Sequence, residues 1–407
     1  MKKTLALLLL FCSLQLSKTN AQGSSANLDV VSWNLEFFGA PFASGPADKD
    51  LQETNVKNIM TWLNADIYGL VEVVDTMRLR RVVDFLGNTE FGFVIAPYCS
   101  GNTTGTGNGW LNGQKLAFIY RKSVFTNITT RGMMRNSATA NTNWASGRFP
   151  YLFSATATIN GTSKNVNFIV IHGKAGSAVD DFQKRAAGCA ELKDTLDAFF
   201  SSSNTFIIGD YNDALHTSIY SGSTISSYQT LVADSTDADH YKSVTLPLGV
   251  AGQSSMINFP NVIDNHIISN ELTPFYIPGT AQIKTDVTTI VSNYVTAHNT
   301  SDHYPVISKY NLAGILTGVP TVTPSALGVK VSPNPFADQL FVTATKTLND
   351  VTIRLLNAEG QIISNAFYKI LNAGTVIQPA MPALARSAYF LHIETKQMKS
   401  VIKLIHQ

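Results

Sequence analysis

Cysteine is scarce in this chain of 407 residues: three occur, and Cys12 falls within the first twenty-one. A disulfide-stapled scaffold is thereby excluded, since such folds need several closely spaced pairs. Cys99 and Cys189 lie in an expected loop and an expected helix, and read as two buried thiols, with one disulfide as the alternative. Charge is also sparse, at 14% against 44% hydrophobic residues, which excludes a chain disordered overall. Neither sign is in large excess. The net charge of +2 divides into +3 for the first twenty-one residues, +4 for Leu312–Gln407 and −5 for the body between them. A body of that sign is not built to hold polyanions by charge alone, and it is compatible with an enzyme that meets phosphate through a metal. No internal apolar run is long enough to span a bilayer. There is no G-x-S-x-G nucleophile elbow, no P-loop and no Cys/His set at zinc spacing.

What is present begins with an address. Met1–Ala21 carries Lys2 and Lys3, then an apolar stretch from Leu5 to Leu16, then Thr19-Asn20-Ala21. This reads as a signal peptide cut after Ala21, its apolar run being too short for an anchor.

The body, 22–311, alternates strands and helices, the pattern of an α/β layered fold. Strands are expected at Val30–Leu35, Ile67–Val74, Lys115–Tyr120, Tyr151–Ile159, Asn165–Ile171, Phe206–Ile208, Val262–Ser269 and Val306–Tyr310. Asn160-Gly161 makes the fourth and fifth a hairpin. Helices are expected over Asp48–Leu63, Leu79–Leu86 and Asp180–Phe200, and polar loops over Gly101–Gly113 and Asn136–Gly147.

Polar residues recur where these strands end. They are Asn34, Glu72, His172, Asp210 with Asn212, Asp264, and Asp302 with His303. Each alone has an ordinary reading as a cap or a turn. Together they place carboxylates, amides and imidazoles at the rim of a sheet, where α/β folds keep their sites. Asn34, Glu72 and Asp302 offer oxygen ligands, which suit a hard cation, Mg²⁺ or Mn²⁺, with Ca²⁺ as a further possibility. His303 can move a proton or donate to a phosphoryl oxygen, and Asp264 is placed to fix its tautomer. His172 can supply a second donor, and Asp210 with Asn212 can position water. His266, two residues after Asp264, is assigned a supporting or structural place.

The motifs WNL at Trp33–Leu35, GLVEV around Glu72, NFIVIH ending at His172, GDYND at Gly209–Asp213, IDNHII and SDHYPV resemble, in this order, the endonuclease/exonuclease/phosphatase superfamily. The resemblance covers about Asp29–Asn311. It implies a two-sheet α/β sandwich of the DNase I-like kind and a metal-dependent phosphodiesterase, with nuclease activity as the first reading. Sphingomyelinase-like or inositol-phosphate phosphatase-like hydrolysis is the alternative, and a catalytically inactive surface-binding module comes after it. It implies Asn34, Glu72 and Asp302 as the metal side, His172, Asp210, Asn212, Asp264 and His303 as catalytic, and Arg148 in R-F-P as a substrate contact. Three positions depart from the pattern. Val71 stands where Gln is common, Gly173-Lys174 follow His172 in place of Leu, and Gln114 stands where some DNases carry Glu. A monomer acting on nucleic acid or another phosphodiester is the implied state.

Leu312–Gly328 mixes Gly, Pro, Thr and Ser and reads as a linker. Beyond it, 329–407 breaks into short strands, the pattern of a small all-β sandwich. VSPNPF at Val331–Phe336, LLNAEGQII at Leu355–Ile363 and YFLHI resemble the C-terminal sorting domain of type IX secretion, which implies the secretion machinery as a partner and a secreted or cell-surface location.

Overall fold

A computed structural model describes residues 26–234, 239–314, 323–357, 362–381, 384–395 and 398–407. Met1–Ala21 and residues 315–322 of the expected linker lie outside these. The chain forms two compact units, Met1–Ile315 and Leu316–Gln407.

The strands of the first unit are β1 Leu28–Phe38, β2 Ile67–Val73, β3 Phe91–Ile95, β4 Lys115–Arg121, β5 Phe125–Gly132, β6 Tyr151–Ile159, β7 Thr162–His172, β8 Asn204–Asp210, β9 Tyr241–Ser243, β10 Asp264–Ser269, β11 Gln282–Ile283 and β12 Val306–Tyr310. They form two six-stranded sheets, β11-β12-β1-β2-β4-β3 and β5-β6-β7-β8-β10-β9. Both sheets follow one pairing pattern. A parallel pair, β1 with β2 or β7 with β8, sits at the centre with antiparallel strands on either side. The carboxyl ends of β1, β2, β7 and β8 and the amino ends of β10 and β12 therefore gather at one edge.

Side chains alternate across each strand. On β1, Val31, Trp33 and Leu35 face one core with Val56, Ile59 and Met60 of the helix Lys49–Leu63, while Val30 joins Ile67 and Val71 of β2 in the core shared with Phe168, Val170, Phe206 and Ile208 of the other sheet. The sheets approach closely at Gly69, where a Cβ would stand 2.6 Å from the Ile208 side chain. Asp48 caps the helix Lys49–Leu63 and Asp75 caps Thr76–Gly87, each accepting from two backbone N–H groups. The helix Val179–Phe200 buries Gly188, Cys189, Leu192 and Leu196 at helical spacing. Cys99 and Cys189 are both free and buried, so the thiol reading holds.

Several expectations need correcting. β3 and β5 carry no clear period-two pattern, and β5 buries only Phe125, as an edge strand can. The expected loops hold short helices at Gly107–Leu111 and Ala138–Asn143. The linker is shorter than its composition indicates, because Leu312 packs into the first core and Leu327 into the tail's. The tail is the expected β-sandwich. A three-stranded sheet and a four-stranded one enclose Leu340, Val342, Val351, Leu355, Leu391 and Leu404.

Candidate active site

The gathered strand ends bring the predicted residues together. His303 is locked on three sides. Its backbone carbonyl accepts from Trp33 Nε1 at 3.0 Å and from Tyr294 Oη at 2.6 Å, and its N–H donates to Ser301 Oγ at 3.0 Å. Ser301 in turn donates to the carbonyl of Asn34 at 2.7 Å. Across the sheets, His303 Nδ1 meets Asp264 Oδ2 at 2.7 Å, and the same oxygen accepts from Ser255 Oγ at 2.7 Å. Burial works against a charged imidazole here, but Asp264, Asp210 and Asp302 outweigh it and raise the His303 pKa well above its usual value. Its Nε2 lies 3.5 Å from Asn34 Nδ2 and 3.8 Å from Asp302 Oδ1.

Asp210 is buried at the end of β8. It accepts from Asn34 Nδ2 at 3.0 Å, from the Asn212 N–H at 2.8 Å and from Asn212 Nδ2 at 3.2 Å. Burial, and then the neighbouring Asp264 carboxylate, push its pKa up to about 7. His172 Nε2 stands 3.5 Å from Asp210 and 3.6 Å from Glu72, and its Nδ1 is buried without a partner. Burial, helped by Arg148 and His303, drives its pKa well below the usual value, so the ring is neutral.

Strained backbone aims the opposite side. The register of β1 shifts between Asn34 and Phe38, with Glu36 and Phe37 at positive φ, and that of β2 shifts between Leu70 and Val73, with Glu72 at φ +61°. Bulges of this kind re-aim side chains next to sites. Glu72 accepts from Asn34 Nδ2 at 3.2 Å and from the Phe37 N–H at 2.9 Å, and burial raises its pKa.

Two placements differ from expectation. Asn34 Oδ1 accepts the Glu36 N–H at 2.9 Å, so the amide turns its nitrogen, not an oxygen ligand, toward Glu72, Asp210 and His303. Arg148 is buried, and it donates to the carbonyls of His172 at 3.0 Å and Gly173 at 2.7 Å and to Gln114 Oε1 at 3.0 Å. It braces the His172 turn, and Gln114 supplies the acceptor that a Glu there would have given. Gly173 has a steric cause, because a Cβ would stand 2.4 Å from the Tyr211 carbonyl and 2.5 Å from Tyr228 Oη. Val71 belongs to the inter-sheet core. His266 lies between Ser308 Oγ at 2.7 Å and Ser32 Oγ at 3.0 Å, away from the strand ends, in the structural place assigned to it.

Sequence reasoning missed Glu36. It accepts the Asp302 N–H at 2.8 Å and pairs with His298. Burial and the Asp302 charge raise its pKa. An acid two residues past Asn34, in a buried strand, was the available signal. Tyr294 and Ser255 were missed as well, and nothing in their local sequence marks them.

Five carboxylates, Glu36, Glu72, Asp210, Asp264 and Asp302, thus crowd one edge, and Asp264 Oδ1 is buried with no donor. Asp210, Asp264 and His303 place ligating atoms within 4.8 Å of one another and could hold a metal ion. This excess of buried anionic oxygen fits a divalent cation.

Residues 330–407 match the family model described as a secretion system C-terminal sorting domain. The tail is a sorting domain. No curated protein matches the chain. Among solved structures, an endonuclease/exonuclease/phosphatase from Bacteroides vulgatus is 13% identical, with 70% of this chain and 98% of that one covered and a TM-score of 0.48. One from Beutenbergia cavernae is 15% identical, with 93% and 100% covered and a TM-score of 0.49. The human Nocturnin catalytic domain is 14% identical, with 72% and 94% covered and a TM-score of 0.48. With the sorting tail the chain carries an export signal of type IX secretion, toward the cell surface or beyond.

Proposed function

We propose that the first unit is a divalent-metal-dependent phosphoester hydrolase that cleaves phosphodiester bonds by attack of water, with nucleic acid as its first substrate class. The observation that carries this reading is the His303–Asp264 pair, fixed at 2.7 Å beside Asp210 and Asn34 where the strand ends meet.

In this reading Glu72 and Asp302, with Glu36 beside them, would hold a divalent cation, which would supply neutralisation of phosphate oxygens. Asp210, near neutrality in its pKa, takes the proton of the attacking water, and Asn212 holds that carboxylate in place. His303, charged and backed by Asp264, donates to the phosphoryl or leaving oxygen as negative charge grows there. Asn34 and neutral His172 are further donors, and Arg148 keeps the His172 turn in position. Lipid phosphodiesters and inositol phosphates would meet the same centre.

Plasmid DNA, RNA, sphingomyelin and inositol phosphates, each assayed in Mg²⁺ or Mn²⁺ with and without EDTA, test the proposal. Metal-dependent turnover of at least one is expected. Tight ligand binding without turnover of any would instead identify a binding module.

A further inference from the structure

A second constellation lies on the same edge of the fold. β3 runs antiparallel to β4 and β5 to β6, so β3 and β5 also finish at the edge where Glu72 and His172 stand. The loops that follow them form an open pocket of about 590 Å³ lined by Thr103, Arg135, Asn136, Ser137, Asn141 and Phe149. Its lining contains one cation and no carboxylate. Phe149 ties it to the site, since Arg148 just before it holds the carbonyl of His172.

Arg135 is exposed, yet held. Its guanidinium lies over the ring of Tyr98 at 5.0 Å from the centroid, and Nη2 donates to the Thr103 carbonyl at 2.7 Å. Tyr98 is itself buried and pinned by a hydrogen bond to the Pro150 carbonyl and an edge contact with Phe149. The arrangement needs glycine at two points. A Cβ on Gly132 would stand 2.5 Å from the Arg135 stem and 2.6 Å from Tyr98, and one on Gly147 would stand 2.6 Å from Thr103 and 3.0 Å from Asn141. Other cations near this edge are committed elsewhere: Lys174 to Asp181, Arg185 to Asp213 and Arg78 to Glu53. Among the described residues no carboxylate pairs with Arg135.

We propose that this pocket is a second anion subsite, which takes a phosphate of the substrate other than the one being hydrolysed, with Arg135 as its specificity-determining residue. A guanidinium pre-oriented on an aromatic ring, with amide and hydroxyl side chains around it, is suited to phosphate oxygens. The inference rests on the hydrolase reading and narrows it. It favours substrates with two or more phosphates, whether successive phosphates of a nucleic acid strand or those of a polyphosphorylated small molecule, over a lipid phosphodiester with one.

The test uses the full chain and the ratio of kcat/KM for a multi-phosphate substrate to that for bis(p-nitrophenyl) phosphate. In Arg135→Ala the ratio is expected to fall roughly ten- to a hundredfold, as loss of a hydrogen bond to a charged group implies, and Arg135→Lys should restore part of it. An oligonucleotide arm and an inositol-polyphosphate arm distinguish the two sources. An unchanged ratio in both arms, or equal loss on the single-phosphate ester, overturns the proposal. Should the wild-type chain cleave none of these esters, the hydrolase reading fails. The subsite is then tested by titrating a phosphorothioate octanucleotide into the protein in EDTA. A Kd weakened at least about tenfold in Arg135→Ala supports the subsite, and an unchanged Kd overturns it.

Discussion

His303 and His266 are both buried imidazoles between the same two sheets, and their partners give them opposite properties. His303 faces Asp264 and is held charged, while His266 faces two serine hydroxyls and burial pushes its pKa down to about 3. His303→Ala should lower kcat by ~10²–10⁴-fold with little change in KM, because its interaction strengthens in the transition state. Asp264→Asn should cost a similar or smaller factor, and the double variant little more than His303→Ala, as expected of residues that act as a unit. Inactivation by His266→Gln with His303→Ala still active would place the chemistry elsewhere. The stability effect of His266 has a definite sign. Unfolded, its pKa is about 6.5, so the native state binds fewer protons between that pH and about 3. Its contribution is full above pH 6.5 and is lost as pH falls toward 3, by on the order of 1.4 kcal/mol per pH unit. Denaturant titrations across that range should show a slope that flattens in His266→Gln.

Among the elements, strands with buried apolar runs and helices with apolar residues at helical spacing could be read directly, because burial leaves a local mark. Lys49–Leu63 begins at Asp48 as expected, and β6 and β7 join at Asn160-Gly161. What could not be read depended on partners distant in sequence. β5 is polar because an edge strand needs little burial, and the Asn34 amide orientation follows from a bulge that shows only in the pairing register. The candidate site was legible as a set of strand-end residues, whereas Glu36, Tyr294 and Ser255 act through contacts made across the sheets. Gly173 shows how an element end constrains the chemistry. Its missing Cβ makes room for the Tyr228 hydroxyl, which donates to the Tyr211 carbonyl at 2.9 Å, and its N–H donates to the carbonyl of Asp210. Gly173→Leu should therefore destabilise the first unit by about 1–3 kcal/mol through overpacking and lower kcat by displacing His172 and Asp210 together. A thermal melt and a kinetic assay check both parts, and a stable, fully active Leu variant would contradict the steric account.

At the scale of the whole molecule, two units each close on their own core residues, and the candidate metal side belongs to only one of them. The first unit buries aliphatic and aromatic side chains on both faces of β1 and β2 and has no need of an ion to complete a core. Chelation should abolish turnover while leaving the far-UV circular dichroism unchanged, and loss of the fold in EDTA would mark a structural ion instead. The tail closes its own core around Val351, Leu355 and Leu391. If 330–407 serves only as an address, its removal should leave kcat and KM unchanged on every substrate the full chain cleaves. The cut has to respect the cores. Ending the chain at Asn311 would delete Leu312, buried in the core shared by the two sheets, and removing a buried Leu costs about 2–5 kcal/mol. A chain ending after Gly314 keeps that contact and should match the full chain in both melting temperature and KM. Should KM instead rise severalfold with the melting temperature unchanged, the tail contributes to substrate binding and is more than an address.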